Sequence, residues 1–343
     1  MSTDLFEFLT KSFDKGATDV HIKHNRYARV RFGGELRETR DFELSACNVT
    51  QIAKKLLSDK EKETLRTERC VQGVVDINDK VKVRYTFSFD STKLYFCARL
   101  LPAKQRSWEN LGIPKLAVNF IHKGQGMILI SGPICSGKTS TMTSFVAYMN
   151  QIRKDHIIVM DELLEYKLKS SNSIINLRQI GKDTHDYVSG LKYALREDPD
   201  TLFVGEIKDY RSAEIALSIA ETGHMIVAGI ATIGCLNSIS KILNSFPSHQ
   251  TEMARLKLSS YLIGCISQVL VPDAQNIQSV PLFEVMGMTP SIANSIRLDK
   301  SMQLKAEMSR SIKGVSITFE DYAKELKAKG TISPTLDISY LSN

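Results

Sequence analysis

One stretch, Gly132-Pro-Ile-Cys-Ser-Gly-Lys-Thr139, limits the folds open to this chain more than any other. It follows the apolar run Gly126 to Ile130 and precedes a helix-like segment, Ser140 to Asn150. Two glycines four residues apart, then Lys and Thr, form the phosphate-loop pattern. Gly132 and Gly137 let the backbone curl with its N–H groups inward, at the start of a helix whose dipole favours an anion. Lys138 then reaches the β- and γ-phosphates, and the Thr139 hydroxyl is placed to ligate Mg²⁺. The loop residues Gly132, Pro133, Ile134, Cys135, Ser136, Gly137, Lys138, Thr139 and Ser140 are the candidate nucleotide contacts. An accidental glycine turn is the alternative, and the strand before with the helix after weigh against it. The motif calls for ATP.

The rest of the chain divides by its periodicity. Leu5, Phe6, Leu9 and Phe13 mark an amphipathic helix over residues 3–15. Alternating segments follow at 19–23 and 29–32, with Gly33-Gly34 as a hairpin turn, then a charged helical stretch over 45–69. Strand patterns return at 74–77, 82–89 and 94–101. These predict a mixed, largely antiparallel N-terminal domain over 1–102, followed by a polar connector at 103–115. From 116 to 288 strands alternate with helices, which calls for a parallel-rich sheet with the nucleotide at one edge. Its strands are expected at 126–130, 156–161, 201–205, 224–230 and 267–271, and its helices at 138–153, 184–196, 211–221 and 236–263. Helical pieces at 290–310 and 318–329 complete a C-terminal segment, 289–343.

Composition excludes little. The 343 residues, 43% of them hydrophobic and 24% charged, can build a large core. No apolar run approaches the roughly 18 residues of a membrane span, and the start lacks the build of a signal peptide, so a cytoplasmic protein is expected. The net charge of +7 comes from scattered residues and selects no partner. The cysteines at 47, 70, 97, 135, 235 and 265 lie far apart without a C-x-x-C pair, which predicts reduced thiols. Oxidation or alkylation of Cys135 would block the loop.

Hydrolysis also needs a carboxylate to orient or activate water. Glu206, directly after the apolar run Thr201 to Gly205, is the first candidate. Asp161 and Glu162 end another apolar run and are candidates to hold Mg²⁺ or position water, with Glu165 a weaker member. Taken alone, such acids more often face solvent. His224 opens a strand after Ala220-Glu-Thr-Gly223 and is a further catalytic candidate, although in isolation a strand-edge histidine is more often structural.

The segment from Leu195 to Asp209, Leu-Arg-Glu-Asp-Pro-Asp-Thr-Leu-Phe-Val-Gly-Glu-Ile-Lys-Asp, followed by Ala220-Glu-Thr-Gly-His224, resembles the secretion ATPases of type II and type IV pilus systems. Pilus-retraction motors are the nearest branch. Gly16-Ala-Thr-Asp-Val-His21 is similar to the family's opening motif, Trp108 to Pro114 to its interdomain linker, and Gly181-Lys-Asp-Thr184 to the segment before its long helix. Ser291 to Arg297 partly resembles a C-terminal helix of retraction motors.

The resemblance implies a PAS-like α+β domain joined to a RecA-like P-loop core, assembled as a cytoplasmic homo-hexamer, with ATP and Mg²⁺ between the domains. It implies Glu206 as general base, and Arg84 and Arg99 as nucleotide-contacting arginines, although both also read as ordinary strand arginines. The implied activity is ATP hydrolysis powering pilus retraction and twitching motility at the inner face of the bacterial inner membrane. The implied partners are an inner-membrane platform protein and a paralogous pilus ATPase, with no nucleic acid expected. Two departures stand out. The family's acidic box, usually Glu-Asp-Pro, reads Asp161-Glu162-Leu163, and its second histidine falls on Ala231. A weakly hydrolysing accessory ring is therefore the second reading, and a RecA-like nucleic-acid motor the third.

Overall fold

The computed structural model describes residues 5–23, 27–43, 46–275, 278–310 and 314–341. It divides into two compact units, one of residues 1–105 with 275–278, the other of 106–274 with 279–343.

In the first unit α1 (Leu5–Asp14) is followed by β1 (Asp19–Ile22), β2 (Tyr27–Phe32), β3 (Glu35–Glu43), α2 (Ala46–Leu56) and α3 (Asp59–Glu68). Then come β4 (Cys70–Asp76), β5 (Val81–Asp90) and β6 (Lys93–Pro102). The strands form one six-stranded sheet, β3-β2-β1-β6-β5-β4, in which every pair is antiparallel. Alternation decides its faces. Val20, Val30, Ala98 and Val83 turn inward to Leu9, Phe87 and Phe96, while the residues between them look outward. The β2–β3 turn is Gly33-Gly34, both at positive φ as a tight hairpin demands. Residues 3, 4 and 45 of the expected helices lie outside the described residues.

The second unit opens with the short α4 (Lys115–Val118) and β7 (Gly126–Ser131), then α5 (Lys138–Ile152), β8 (His156–Asp161) and β9 (Ile174–Gln179). It continues with α6 (Tyr187–Ala194), β10 (Thr201–Val204), α7 (Tyr210–Glu221), β11 (Met225–Ile230), α8 (Cys235–Ser245) and α9 (Ser248–Tyr261). It ends with β12 (Leu262–Pro272), β13 (Ser279–Gly287), α10 (Pro290–Arg297), α11 (Ser301–Arg310), β14 (Ser316–Ile317) and α12 (Phe319–Ala328). The eight strands are ordered β14-β13-β12-β7-β11-β10-β8-β9. All neighbours from β12 to β9 run parallel, and β13 and β14 are added antiparallel. Every residue of β7, β10 and β11 is buried, as strands covered on both faces require. Met127, Leu129, Leu202 and Ile226 face the core under α6 to α10, and Ile128, Ile130, Phe203 and Val227 face the core under α5 and α12.

The mixed α/β class is as expected, with differences in detail. The helix expected over 236–263 is two helices, because Phe246 leaves helical geometry with ψ 147 and Pro247 has no N–H to continue the ladder. The strand expected at 267–271 starts earlier, at Leu262. β9 and β13 were not expected as strands. The 290–310 helix breaks at Asp299, which adopts φ 58. Residues past 289 pack into the same two cores: Ile292 and Leu304 into one, Phe319, Ile332 and Leu341 into the other.

Candidate functional site

The loop after β7 curls as its glycines dictate. Gly137 has φ 90 and Cys135 φ 67, both in the left-handed region. A Cβ on Gly132 would lie 2.3 Å from the Gln268 carbonyl oxygen and 2.4 Å from Ser136 Oγ, so no larger residue fits. The Ser136 hydroxyl is buried within this curl without a partner. Lys138 Nζ donates to the carbonyls of Gly132 (2.7 Å) and Pro133 (2.9 Å). Burial lowers its pKa from the usual ammonium value; the charges of Glu206 and Cys135 oppose that shift, and Lys241 adds to it.

The helix that follows is uncapped by design. α6, α7 and α12 begin at Asp186, Asp209 and Thr318, whose side chains accept from the first turn. α5 begins at Gly137, which has no side chain to cap it. Its first amides therefore face the loop's mouth together with the positive end of the helix dipole. An orphaned buried hydroxyl, uncapped amides and a lysine form a cradle that fits a phosphate chain. Thr139 is the second residue of α5, and Ser140 the third. Ile134 and Cys135 are exposed at the rim, and Pro133 is half-buried.

The parallel topology carries three candidate carboxylates to the same edge. Glu206 follows β10, with one strand, β11, between it and β7, so about 10 Å of sheet separates the two strands. Its turn is pinned at both sides: Gly205 N–H donates to the Met160 carbonyl at 2.8 Å, and Ile207 N–H to the Gly229 carbonyl at 2.8 Å. Asp161 ends β8, one strand further out. It lies against Gly205, where an added Cβ would sit 2.4 Å from Asp161 Oδ1. The Glu162 amide donates to Asp161 Oδ1 at 2.7 Å. Burial lifts the Asp161 carboxyl to about 6, opposed by that amide and helped by the charges of Glu165 and Glu162. Glu162 is ion-paired with Lys208, and Glu165 is buried.

Sequence reasoning missed three residues here. Tyr187 opens α6, and its hydroxyl is driven well above the usual phenol range, first by burial and then by the charges of Asp161, Glu162 and Glu206. Lys241 on α8 donates to the Ala231 carbonyl at 2.8 Å, the position where related chains were expected to carry a second histidine. Gln268 on β12 braces the phosphate loop. No local pattern marks any of them, because each arrives from an element distant in sequence. The turn into α8 is likewise held by tertiary partners: Ser267 Oγ accepts from the Gly234 amide (2.8 Å) and Glu284 from the Cys235 amide (2.7 Å).

His224 does not join this group. It precedes β11, and β11 pairs with β7 from Met225 opposite Gly126 to Ile230 opposite Ser131. The imidazole therefore sits at the opposite edge of the sheet, about 20 Å along the strand from the loop. There its Nδ1 bonds the Thr222 hydroxyl at 3.0 Å.

Arg84 and Arg99 belong to the first unit. They are directly paired across β5 and β6, and so share the outward face of that sheet. Asp19 lies opposite Arg99, and Arg31 opposite Asp19, so four charged residues form a row across four strands. Both arginines are half-buried on that face. The cysteines at 70, 97, 135, 235 and 265 are free thiols; the side chain of Cys47 lies outside the described residues.

Comparison with known proteins agrees with this architecture. The family model for "Type II/IV secretion system protein" (T2SSE) matches residues 2–307. The type IV pilus retraction ATPase PilT of Pseudomonas aeruginosa PAO1 is 28% identical over 330 residues, covering 96% of this chain and 96% of that protein. YggR of Escherichia coli K12 is 29% identical over 326 residues, covering 95% and 99% respectively. The crystal structure of the pilus retraction motor PilT with bound ADP superposes with a TM-score of 0.84 at 30% identity, covering 99% of each chain. The chain belongs to the type II/IV secretion system protein family.

Proposed function

We propose that this chain is the ATPase of a pilus-retraction motor, hydrolysing ATP at the loop 132–139 to drive pilus disassembly. The observation that carries the reading is the convergence of the uncapped phosphate loop and Glu206 at one edge of a rigid parallel sheet, in a chain similar along its whole length to a retraction motor.

In this reading the loop amides and Lys138 hold the β- and γ-phosphates, and the Thr139 hydroxyl holds Mg²⁺. When bound there, that ion would supply positive charge against the charge developing on the phosphates. Glu206 orients a water and accepts its proton as the water oxygen bonds the γ-phosphorus. The bond from that phosphorus to the bridging oxygen breaks, leaving ADP and inorganic phosphate. Asp161, packed against Gly205, braces the turn that presents Glu206. The guanidiniums of Arg84 and Arg99 take a phosphate oxyanion as ligand.

Among the described residues no helix is long and apolar enough to cross a membrane. We assign the working form to a homo-hexamer acting at the cytoplasmic face of an inner-membrane platform protein, beside a paralogous ATPase. Likeness to the retraction motor supports this assignment.

Purified protein should release phosphate from ATP with Mg²⁺. Lys138→Ala should lose nucleotide binding, and Glu206→Gln should keep binding while losing turnover at least a hundredfold. Wild-type turnover in both variants would remove the site. Cells lacking the gene should carry excess pili that do not retract; bald cells would reverse the direction assigned to the motor.

A further inference from the structure

Gln268 is one of the most enclosed polar residues of the second unit, at 1% exposure. Ser267 pairs with Ser131, the last residue of β7, so Gln268 is the first β12 residue beyond the point where β7 turns away into the phosphate loop. Both ends of its amide are used. Nε2 donates to the Ser136 carbonyl at 2.7 Å, and Oε1 bonds the Thr141 hydroxyl at 2.8 Å. A backbone carbonyl only accepts, so the amide has one orientation: nitrogen toward the loop, oxygen toward the first turns of α5. The same residue packs on both loop glycines. A Cβ on Gly132 would meet the Gln268 carbonyl at 2.3 Å, and one on Gly137 would meet its Nε2 at 3.1 Å.

We propose that Gln268 is a positioning residue for nucleotide binding, resting on the assignment of the loop 132–139 as the ATP site. It touches no phosphate. It fixes the carbonyl between Cys135 and Gly137, and with it the direction of the neighbouring amides. By bonding Thr141 it also locks the loop to the helix whose N-terminus faces the anion. A side chain of the same reach without an amide leaves the Ser136 carbonyl and the Thr141 hydroxyl unpaired and the loop free to uncurl.

The test measures the Kd of a fluorescent ADP analogue, the rise in melting temperature on adding ADP, and KM and kcat for ATP. Wild type is compared with Lys138→Ala, Gln268→Leu, Gln268→Glu and Thr141→Val. Gln268→Leu should raise Kd and KM together by about tenfold, with kcat within about threefold, as for lost ground-state binding. Its nucleotide-induced melting shift should shrink accordingly, since that shift depends on ligand concentration over Kd. Gln268→Glu keeps the acceptor for Thr141 but sets a carboxylate oxygen against the Ser136 carbonyl, and should bind still more weakly. Thr141→Val cuts only the far bond and should weaken binding two- to threefold.

A purely structural role would lower every melting temperature yet leave Kd and the nucleotide-induced shift at wild-type size; that result in Gln268→Leu, or in Gln268→Glu should the leucine variant not fold, overturns the proposal. Thr141→Val binding more weakly than Gln268→Leu would also overturn it. Lys138→Ala with wild-type Kd would instead overturn the site assignment beneath it.

Discussion

Gly229 is where the geometry of Glu206 can be perturbed without touching the phosphate loop. It lies on β11, between β7 and β10, with its carbonyl accepting the Ile207 amide. A Cβ there would stand 2.0 Å from the Gly205 carbonyl oxygen and 3.0 Å from its carbon, both backbone atoms with no rotamer to escape through. Ordinary contact begins at 3.4 Å, so Gly229→Ala demands a retreat of about 1.4 Å (3.4 minus 2.0) by the residue preceding Glu206. A displacement near 1 Å at a reacting group costs on the order of a hundredfold in rate. Overpacking at a buried strand costs about 1–3 kcal/mol of stability besides. The loop 132–139 contacts Gln268 rather than Gly229, so nucleotide affinity should stay within about threefold of wild type. Phosphate release at saturating ATP, with the Kd of an ADP analogue, separates the two effects. A folded Gly229→Ala variant with wild-type kcat would refute the claim that Glu206 acts from this turn.

Other outcomes follow from the same geometry. The Asp161 carboxyl sits at about 6 against 3.8 for the free side chain, so its contribution to stability is fully present below about pH 4 and is lost as pH rises through 6. Asp161→Asn should therefore outlast wild type in melting assays at pH 7.5 by up to about 3 kcal/mol, from 2.2 pKa units at 1.36 kcal/mol each, and lose that advantage at pH 4. Parallel pH profiles for the two proteins would contradict this. Arg84→Ala or Arg99→Ala removes one of two facing guanidiniums, and should cost less than about 1 kcal/mol of stability while lowering turnover at least tenfold. Unchanged turnover would leave the pair without a catalytic part. His224→Ala should leave nucleotide affinity unchanged in direct binding, because its ring lies at the far edge of β11; a tenfold rise in Kd would contradict that placement.

What the sequence disclosed, and what it hid, separates along physical lines. Buried parallel strands are near-continuous apolar runs, so β7, β10 and β11, buried throughout, and β8, buried at Ile157, Ile158 and Met160, could be found to within a residue. β9, Ile-Ile-Asn-Leu-Arg-Gln at the sheet's edge, is half-exposed throughout except for the exposed Ile174 and carries no such run. The phosphate loop was legible because its chemistry is local. His224 was misleading because a strand's direction relative to its neighbours exists only after folding: the residue is next to a well-placed strand but at its wrong end. Gln268 was invisible because an amide on a strand 132 residues from its partner leaves no trace in spacing.

The strands beneath the candidate site also set how force can pass through this unit. β11 is hydrogen-bonded along its length to β7 on one side and β10 on the other, and none of its residues reaches solvent. Such a strand can neither bow nor slide without carrying its neighbours along. The sheet thus behaves as a stiff plate, and compliance is left to the turns projecting from its rim, where the loop 132–139 and the segment 205–209 both lie.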